Sequence, residues 1–216
     1  VGVEILNQLE SPPDMIITPV GGGGLSSGLV KYFNSYEIQF KFCEPMGGRS
    51  LFQSLKHKKL ITLDYVDNFV DGAAVARIGD QNFNILKNQN IENVLGIPEG
   101  RICATITEML NIEGIVLEPA GALAIDALKD IRDQIVGKTI VCIASGGNFD
   151  FERLPEVKER AQRYAGVKKY FILRLPQRPG ALKDFLGLLG PNDDIARFEY
   201  LKKSARNFGT VLLGIE

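Results

Sequence analysis

The sequence predicts an α/β chain built on a mostly parallel sheet and followed by a small α+β module. Three observations carry that expectation. Short apolar runs at 15–20, 38–43 and 139–144 alternate with amphipathic stretches, as in a sheet covered on both faces. The segment Thr18-Pro19-Val20-Gly21-Gly22-Gly23-Gly24-Leu25-Ser26-Ser27-Gly28 joins the first of these runs to a helical pattern, as a strand–turn–helix unit does. Near Gly166 the character changes to a β-α-β-β order, which suits a ferredoxin-like module.

The elements follow in chain order. Residues 1–9 have amphipathic helical spacing, and Met15-Ile16-Ile17 reads as a buried parallel strand. Leu25, Leu29, Val30 and Phe33 place a helix over 24–35, facing the sheet. Strand 38–43 and helices over 47–57, 80–88 and 98–112 come next. Pro98 and Pro119 suit the first turn of a helix, where a missing N–H costs nothing, so a helix is expected over 119–132 as well. The buried run Val141-Cys142-Ile143-Ala144 gives the strand at 139–144, and a helix over 152–164 closes the larger part. In the tail, a strand over 167–176 turns through Gln177-Arg178-Pro179-Gly180-Ala181-Leu182 into a helix reaching Leu189, and strands at 193–202 and 208–216 follow. The division expected is 1–165 and 166–216.

Composition narrows the chemistry. The 216 residues are 45% apolar and 24% charged with net charge −1, which points to neither nucleic acid nor an anionic membrane as partner. No apolar stretch reaches the roughly 20 residues of a membrane span, and no signal peptide is recognisable. Cys43, Cys103 and Cys142 are widely spaced in apolar surroundings and read as buried thiols of a reducing, cytoplasmic compartment, without metal-ligand spacing. The one histidine, His57, sits in the basic run Lys56-His57-Lys58-Lys59, read as a solvated helix end. Any enzymatic chemistry therefore does not rest on a histidine base.

Four successive glycines between a strand and a helix let the chain turn sharply and bring several N–H groups to an anion at a helix N-terminus. The alternative is a flexible turn. The pattern is neither GxGxxG nor GxxxxGK[ST]. A second loop, Ser145-Gly146-Gly147-Asn148, follows the last strand of the larger part; it suits either a flat ligand or a turn capping the helix from Glu152. Glu118, before Pro119-Ala120-Gly121-Ala122, is either a carboxylate favoured by the helix dipole or part of a cleft. Asp71-Gly72-Ala73-Ala74 reads as a tight turn near the same cleft.

In this order, Pro19-Val20-Gly21-Gly22-Gly23-Gly24-Leu25-Ser26-Ser27-Gly28, Cys43-Glu44-Pro45, Asp71-Gly72-Ala73-Ala74-Val75, Glu118-Pro119-Ala120-Gly121-Ala122 and Ser145-Gly146-Gly147-Asn148 resemble the threonine dehydratases (threonine deaminases) among the pyridoxal-phosphate lyases of fold type II, the tryptophan synthase β-like group. The resemblance covers residues 1–165. It implies pyridoxal 5'-phosphate held at its phosphate by the backbone of Gly21, Gly22, Gly23, Gly24 and Leu25. Ser145 would face the pyridine nitrogen, Glu118 would lie near the ring, and Asn148 would shape the Ser145 loop. Glu44 falls where some relatives ligate a divalent cation, but Gly47-Gly48-Arg49-Ser50 follows instead of an acidic pair, and no metal is expected.

The family's Ser-x-Lys-x-Arg-Gly and Ser-Gly-Asn-His types of motif, which carry its Schiff-base lysine and its substrate-carboxylate grip, do not occur in these residues. No catalytic residue is assigned within the chain. With Val1 opening inside a helical pattern and Glu216 ending inside a strand, the chain is expected to be a piece of a longer polypeptide and inactive alone. The tail, through Leu173-Arg174-Leu175-Pro176 and Arg178-Pro179-Gly180-Ala181-Leu182, resembles the ACT-like regulatory domain of biosynthetic threonine dehydratases. What the resemblance implies is deamination of L-threonine to 2-oxobutanoate, isoleucine as effector, and a homotetramer or homodimer. Serine dehydratases and serine racemases share the motifs, and a non-catalytic amino-acid sensor would use the same tail.

Overall fold

All five residues of Met15–Pro19 (β1) are buried, because this strand lies inside a four-stranded sheet and has helices over both faces. The computed structural model describes residues 1–201 and 207–216, which form two compact units, Val1–Ala161 and Gln162–Glu216. In the first unit β1 is flanked by Gln39–Pro45 (β2) and Ile140–Cys142 (β4). Val94–Ile97 (β3) pairs with the outer side of β2, giving the order β3-β2-β1-β4 with every pairing parallel.

Side chains alternate across β1, as the period of two demands. Ile16 joins Phe40 and Phe42 beneath helices Gly2–Gln8 (α1), Gly24–Tyr32 (α2), Ser50–Lys56 (α3) and Asp80–Leu86 (α4). Met15 and Ile17 point the other way, to Ile102, Cys103, Ile106, Leu123 and Ala127 of Glu99–Glu108 (α5), Pro119–Asp126 (α6) and the 3-10 turn after it. A short helix Arg132–Ile135 (α7) precedes β4, and Leu154–Tyr164 (α8) buries Val157 in the same core.

Several expectations change. β3 was not expected. The strand placed at 139–144 is only Ile140–Cys142 and is half-buried, because among the described residues it pairs on one side only, with β1; Cys142 is accordingly half-buried too. The helix over 98–112 is α5 with Pro98 as its N-cap, and it ends in a π-turn, Met109–Glu113, closed by Gly114 at φ 67°. The helix over 119–132 stops at Asp126 and tightens into a 3-10 turn, Ala127–Asp130, although Pro119 does occupy its first turn.

The second unit is an antiparallel sheet of Lys169–Pro176 (β5), Ile195–Leu201 (β6) and Phe208–Ile215 (β7) in the order β5-β7-β6. Ala181–Leu186 (α9) follows β5 and ends at Gly187, so the helix does not reach Leu189. Strand β6 begins at Ile195 rather than 193 and carries a bulge between Ile195 and Arg197; Lys202, the expected last residue of this strand, lies outside the described residues. Among the described residues no helix is long and apolar enough to cross a membrane.

Candidate functional site

In a parallel sheet, ligands gather at the carboxyl ends of strands where the chain departs in opposite directions. Here that place lies between β1 and its neighbour β4, whose registers bring Ile17 beside Cys142. The Ile143 N–H donates to the Ile17 carbonyl at 2.9 Å, so the loops after the two strands leave side by side. A cavity of about 260 Å³ opens there, and it is lined by Gly21, Gly22, Gly23, Gly24, Leu25, Glu118 and Ser145, together with Pro19, Gly72, Ala73 and Ala120. Asn148 does not line it. It lines a neighbouring cavity of about 360 Å³ with Asp71, Phe149, Asp150 and Arg153, and the two cavities share Gly72 and Glu118.

The glycine run is shaped as the N-terminus of α2. Gly23 is the N-cap at φ 84°, a left-handed conformation that a side chain disfavours, and a Cβ there would also press on Ile78 at 2.8 Å. No side chain caps this helix end, and its first turn holds no acidic residue. The nearby hydroxyls are engaged elsewhere: Ser26 Oγ donates to the Pro19 carbonyl at 3.0 Å, and Ser27 Oγ donates to Asn82 Oδ1 at 2.9 Å. Helix α2 thus begins without a side-chain partner for its first N–H groups, which is the condition for an anion site.

Glu118 is the N-cap of α6, yet its carboxylate makes no capping hydrogen bond. Its backbone N–H donates to the Gly146 carbonyl at 3.2 Å, which ties the start of α6 to the Ser145 loop. Glycine is required at Gly121, where the clash is with backbone, whereas at Gly146 the Glu118 side chain would have to move. A Cβ on Gly146 would overlap the Glu118 carboxylate, and one on Gly121 would overlap the Gly146 carbonyl. Ser145 itself is exposed at the carboxyl end of β4. The cap after this loop is Asp150, whose Oδ1 accepts from the Glu152 N–H at 3.0 Å, so Ser145 to Asn148 is not the capping turn that was the alternative reading.

Glu44 is turned away from the cavity. Its carboxylate accepts from the Leu51 N–H at 2.6 Å and the Phe52 N–H at 2.9 Å, both in the first turn of α3. Burial pushes its pKa up to about 7, against the opposing pull of those two N–H groups and of Arg49. Among the described residues, no three His, Cys, Asp or Glu side chains gather as a metal site. Burial also raises the thiols of Cys43, Cys103 and Cys142, which disfavours the reactive thiolate.

One group at the loop escaped the sequence. Asn82 of α4 donates from Nδ2 to the Gly22 carbonyl at 2.7 Å, and Gly79 donates its N–H to the same oxygen at 3.0 Å. Gly79-Asp80 does signal a helix start, but nothing in the chain marks a partner some 60 residues away. In the second unit a larger cavity, of about 630 Å³, is lined by Leu175, Arg178, Gly180, Leu182, Lys183 and Tyr200 among others.

Residues 159–216 match the family described as the C-terminal regulatory domain of threonine dehydratase. Among curated proteins the chain is similar to the L-threonine dehydratase biosynthetic IlvA of Staphylococcus aureus (strain bovine RF122 / ET3-1), 48% identical over 220 residues, covering 99% of this chain and 52% of that protein. It is also similar to the protein of that name from Halalkalibacterium halodurans, 48% identical over 219 residues and 52% of its length. The chain therefore spans about half the length of the curated relatives it matches. Among solved structures it resembles the processed form of threonine deaminase isoform 2 from Solanum lycopersicum, with TM-score 0.68 and 34% identity over 74% of this chain and 47% of that one. It resembles maize serine racemase with TM-score 0.62 and 28% identity over 74% of this chain and 50% of that one. Residues 1–146 match the family described as pyridoxal-phosphate dependent enzyme, and with that match over most of its length the chain belongs to this family.

Proposed function

We propose that the cavity between β1 and β4 holds pyridoxal 5'-phosphate, and that the whole protein deaminates L-threonine to 2-oxobutanoate and ammonia, as the first step of isoleucine synthesis in the cytoplasm. The observation that carries this reading is the uncapped start of α2 meeting the Ser145 loop and Glu118 in one small cavity. The N–H groups of Gly21, Gly22, Gly23, Gly24 and Leu25 hold the phosphate through backbone alone. Ser145 offers a neutral hydroxyl to the ring nitrogen, Glu118 lies beside the ring, and Asn148 shapes the loop from its neighbouring cavity. When bound, the cofactor supplies an electron sink for charge developing at the substrate Cα. The close approach of Gly121 to Gly146 fixes one wall of the cleft beside Glu118.

On this reading residues 1–165 belong to the catalytic part and 166–216 to its regulatory module. The second unit's cavity takes isoleucine as effector: it sets apolar Leu175, Leu182 and Leu186 beside Lys183 and Arg178, the latter paired with Asp184 at 2.7 Å, complementary to an aliphatic amino acid. The assembly is a homo-oligomer, a tetramer or a dimer.

Formation of 2-oxobutanoate from L-threonine by the full-length protein, with and without isoleucine, tests the proposal. Activity suppressed by isoleucine is the expected result. Activity indifferent to isoleucine removes the effector assignment, and turnover of L-serine without L-threonine favours the serine enzymes instead.

A further inference from the structure

We propose that Asn82, which lies outside the cavity, is a positioning residue of the phosphate cradle: its amide holds the Gly22 carbonyl so that the adjoining N–H groups are left for an anion. This rests on the reading of residues 21–25 as that cradle.

A planar trans peptide points its carbonyl and its N–H to opposite sides. In a glycine run nothing intrinsic decides which side is which, since either orientation is open to a residue without Cβ. An outside contact has to choose. The Gly22 carbonyl receives two donors, Asn82 Nδ2 at 2.7 Å and the Gly79 N–H at 3.0 Å. Holding that oxygen against α4 turns the Gly23 N–H away from α4. The cavity is lined by residues 21–25 and by none of Ile78, Gly79 or Asn82, so brace and cavity lie on different sides of the loop. The brace also removes a carbonyl dipole that would repel a phosphate.

The Asn82 amide is used at both ends. While Nδ2 donates to Gly22, Oδ1 accepts from Ser27 Oγ at 2.9 Å, bridging the residue before the N-cap of α2 to its first turn. Its base is held by the turn before α4, where Arg77 pairs with both oxygens of Asp80 at 2.9 and 2.6 Å. Aspartate offers the acceptor without the donor, and alanine offers neither.

The test is a 31P NMR titration of the full-length protein, freed of cofactor, with pyridoxal 5'-phosphate and with inorganic phosphate, alongside pyridoxal followed by absorbance. The variants are Asn82→Ala, Asn82→Leu, Asn82→Asp and Ser27→Ala. The expected result is that the Asn82 variants weaken the two phosphate ligands by about three- to tenfold and leave pyridoxal unchanged, the scale set by one lost hydrogen bond. Ser27→Ala, which loses the tie between α2 and α4 and a longer 3.2 Å bond to the Gly24 carbonyl inside α2 but leaves the donation to Gly22, stays within about twofold of the native protein. Because Asn82→Asp also adds a negative charge that would itself repel phosphate, the neutral variants decide, and Asn82→Leu, of similar size and without a donor, carries the comparison if Asn82→Ala does not fold. Phosphate binding unchanged in the neutral Asn82 variants, or falling equally in Ser27→Ala, overturns the proposal and leaves Asn82 as a packing contact. A native full-length protein that binds neither phosphate ligand overturns the cradle and the positioning role together.

Discussion

Glu44 ties a local contact to a pH-dependent property of the whole chain. Its carboxyl is buried where it accepts two N–H groups, and burial outweighs them, raising the pKa from 4.5 to about 7. The folded chain therefore keeps this proton to higher pH than the unfolded chain. Its contribution to stability is fully present below the unfolded value and is lost as pH rises through about 7, by at most about 1.4 kcal/mol per pH unit. Glu44→Gln is expected to flatten that slope, since the amide does not titrate, and to lower stability at low pH, where its NH2 replaces a carboxyl oxygen that accepts one of the two N–H groups. Urea unfolding across a pH series checks both; an unchanged slope would contradict the assignment. Gly121 makes a second case. Gly121→Ala drives a methyl into the Gly146 carbonyl and is expected to cost about 1–3 kcal/mol, with a shifted Ser145 amide resonance as the sign that the loop has moved. At this scale the sequence was readable where neighbours in the chain decide the outcome, as in the glycine run and Glu118-Pro119. It was unreadable at Asn82, whose partners Gly22 and Ser27 come together with it only after folding.

Among the elements, α5 and α6 are locked by a buried charge. Asp126 on α6 is fully buried and accepts from Arg101 Nε at 2.6 Å and Thr105 Oγ1 at 2.6 Å, while Lys129 stands 3.4 Å away. Arg101 also reaches Asp130, which is partly exposed. Removing Asp126 leaves Arg101 Nε and Thr105 Oγ1 without their buried acceptor while Arg101 keeps Asp130, so Asp126→Ala is expected to cost about 2–3 kcal/mol and Asp130→Ala about 1 kcal/mol or less in urea unfolding. Equal losses would show that burial does not set the strength of this lock. The inner strands β1 and β2 announced themselves as apolar runs. Strand β3 did not, because Val94-Leu95-Gly96-Ile97 is four residues long, contains a glycine and follows directly on the 3-10 turn Ile91–Asn93. Strand β4 looked as buried as β1 from its composition, and only the pairing order shows that it has one neighbour.

For the whole molecule, the two units differ in how completely they cover their apolar side chains. In Val1–Ala161 both faces of the sheet are packed under helices. In Gln162–Glu216 several large apolar side chains remain in solvent, with Ile172 79% and Leu201 63% exposed. Such surface favours association. Ile172→Lys is expected to reduce concentration-dependent light scattering of the chain without lowering its melting temperature, since the side chain has little packing to lose. A fall in melting temperature with unchanged scattering would instead mean that Ile172 supports the fold. The parallel sheet was legible from its strand spacing, and the β-α-β-β order of the tail from its turns. The exposed apolar surface was not, because composition does not say which of two faces receives a helix.

The three cysteines give the first unit a set of internal clocks. Cys43 lies in the middle of the sheet and Cys103 on the buried side of α5, both inaccessible, whereas Cys142 sits half-buried in β4. In a timed reaction with a small alkylating reagent, Cys142 should be consumed first as β4 frays. Cys103 and Cys43 should follow only when helices lift or the sheet separates, so the order of modification, read by mass spectrometry, records the sequence in which this unit comes apart.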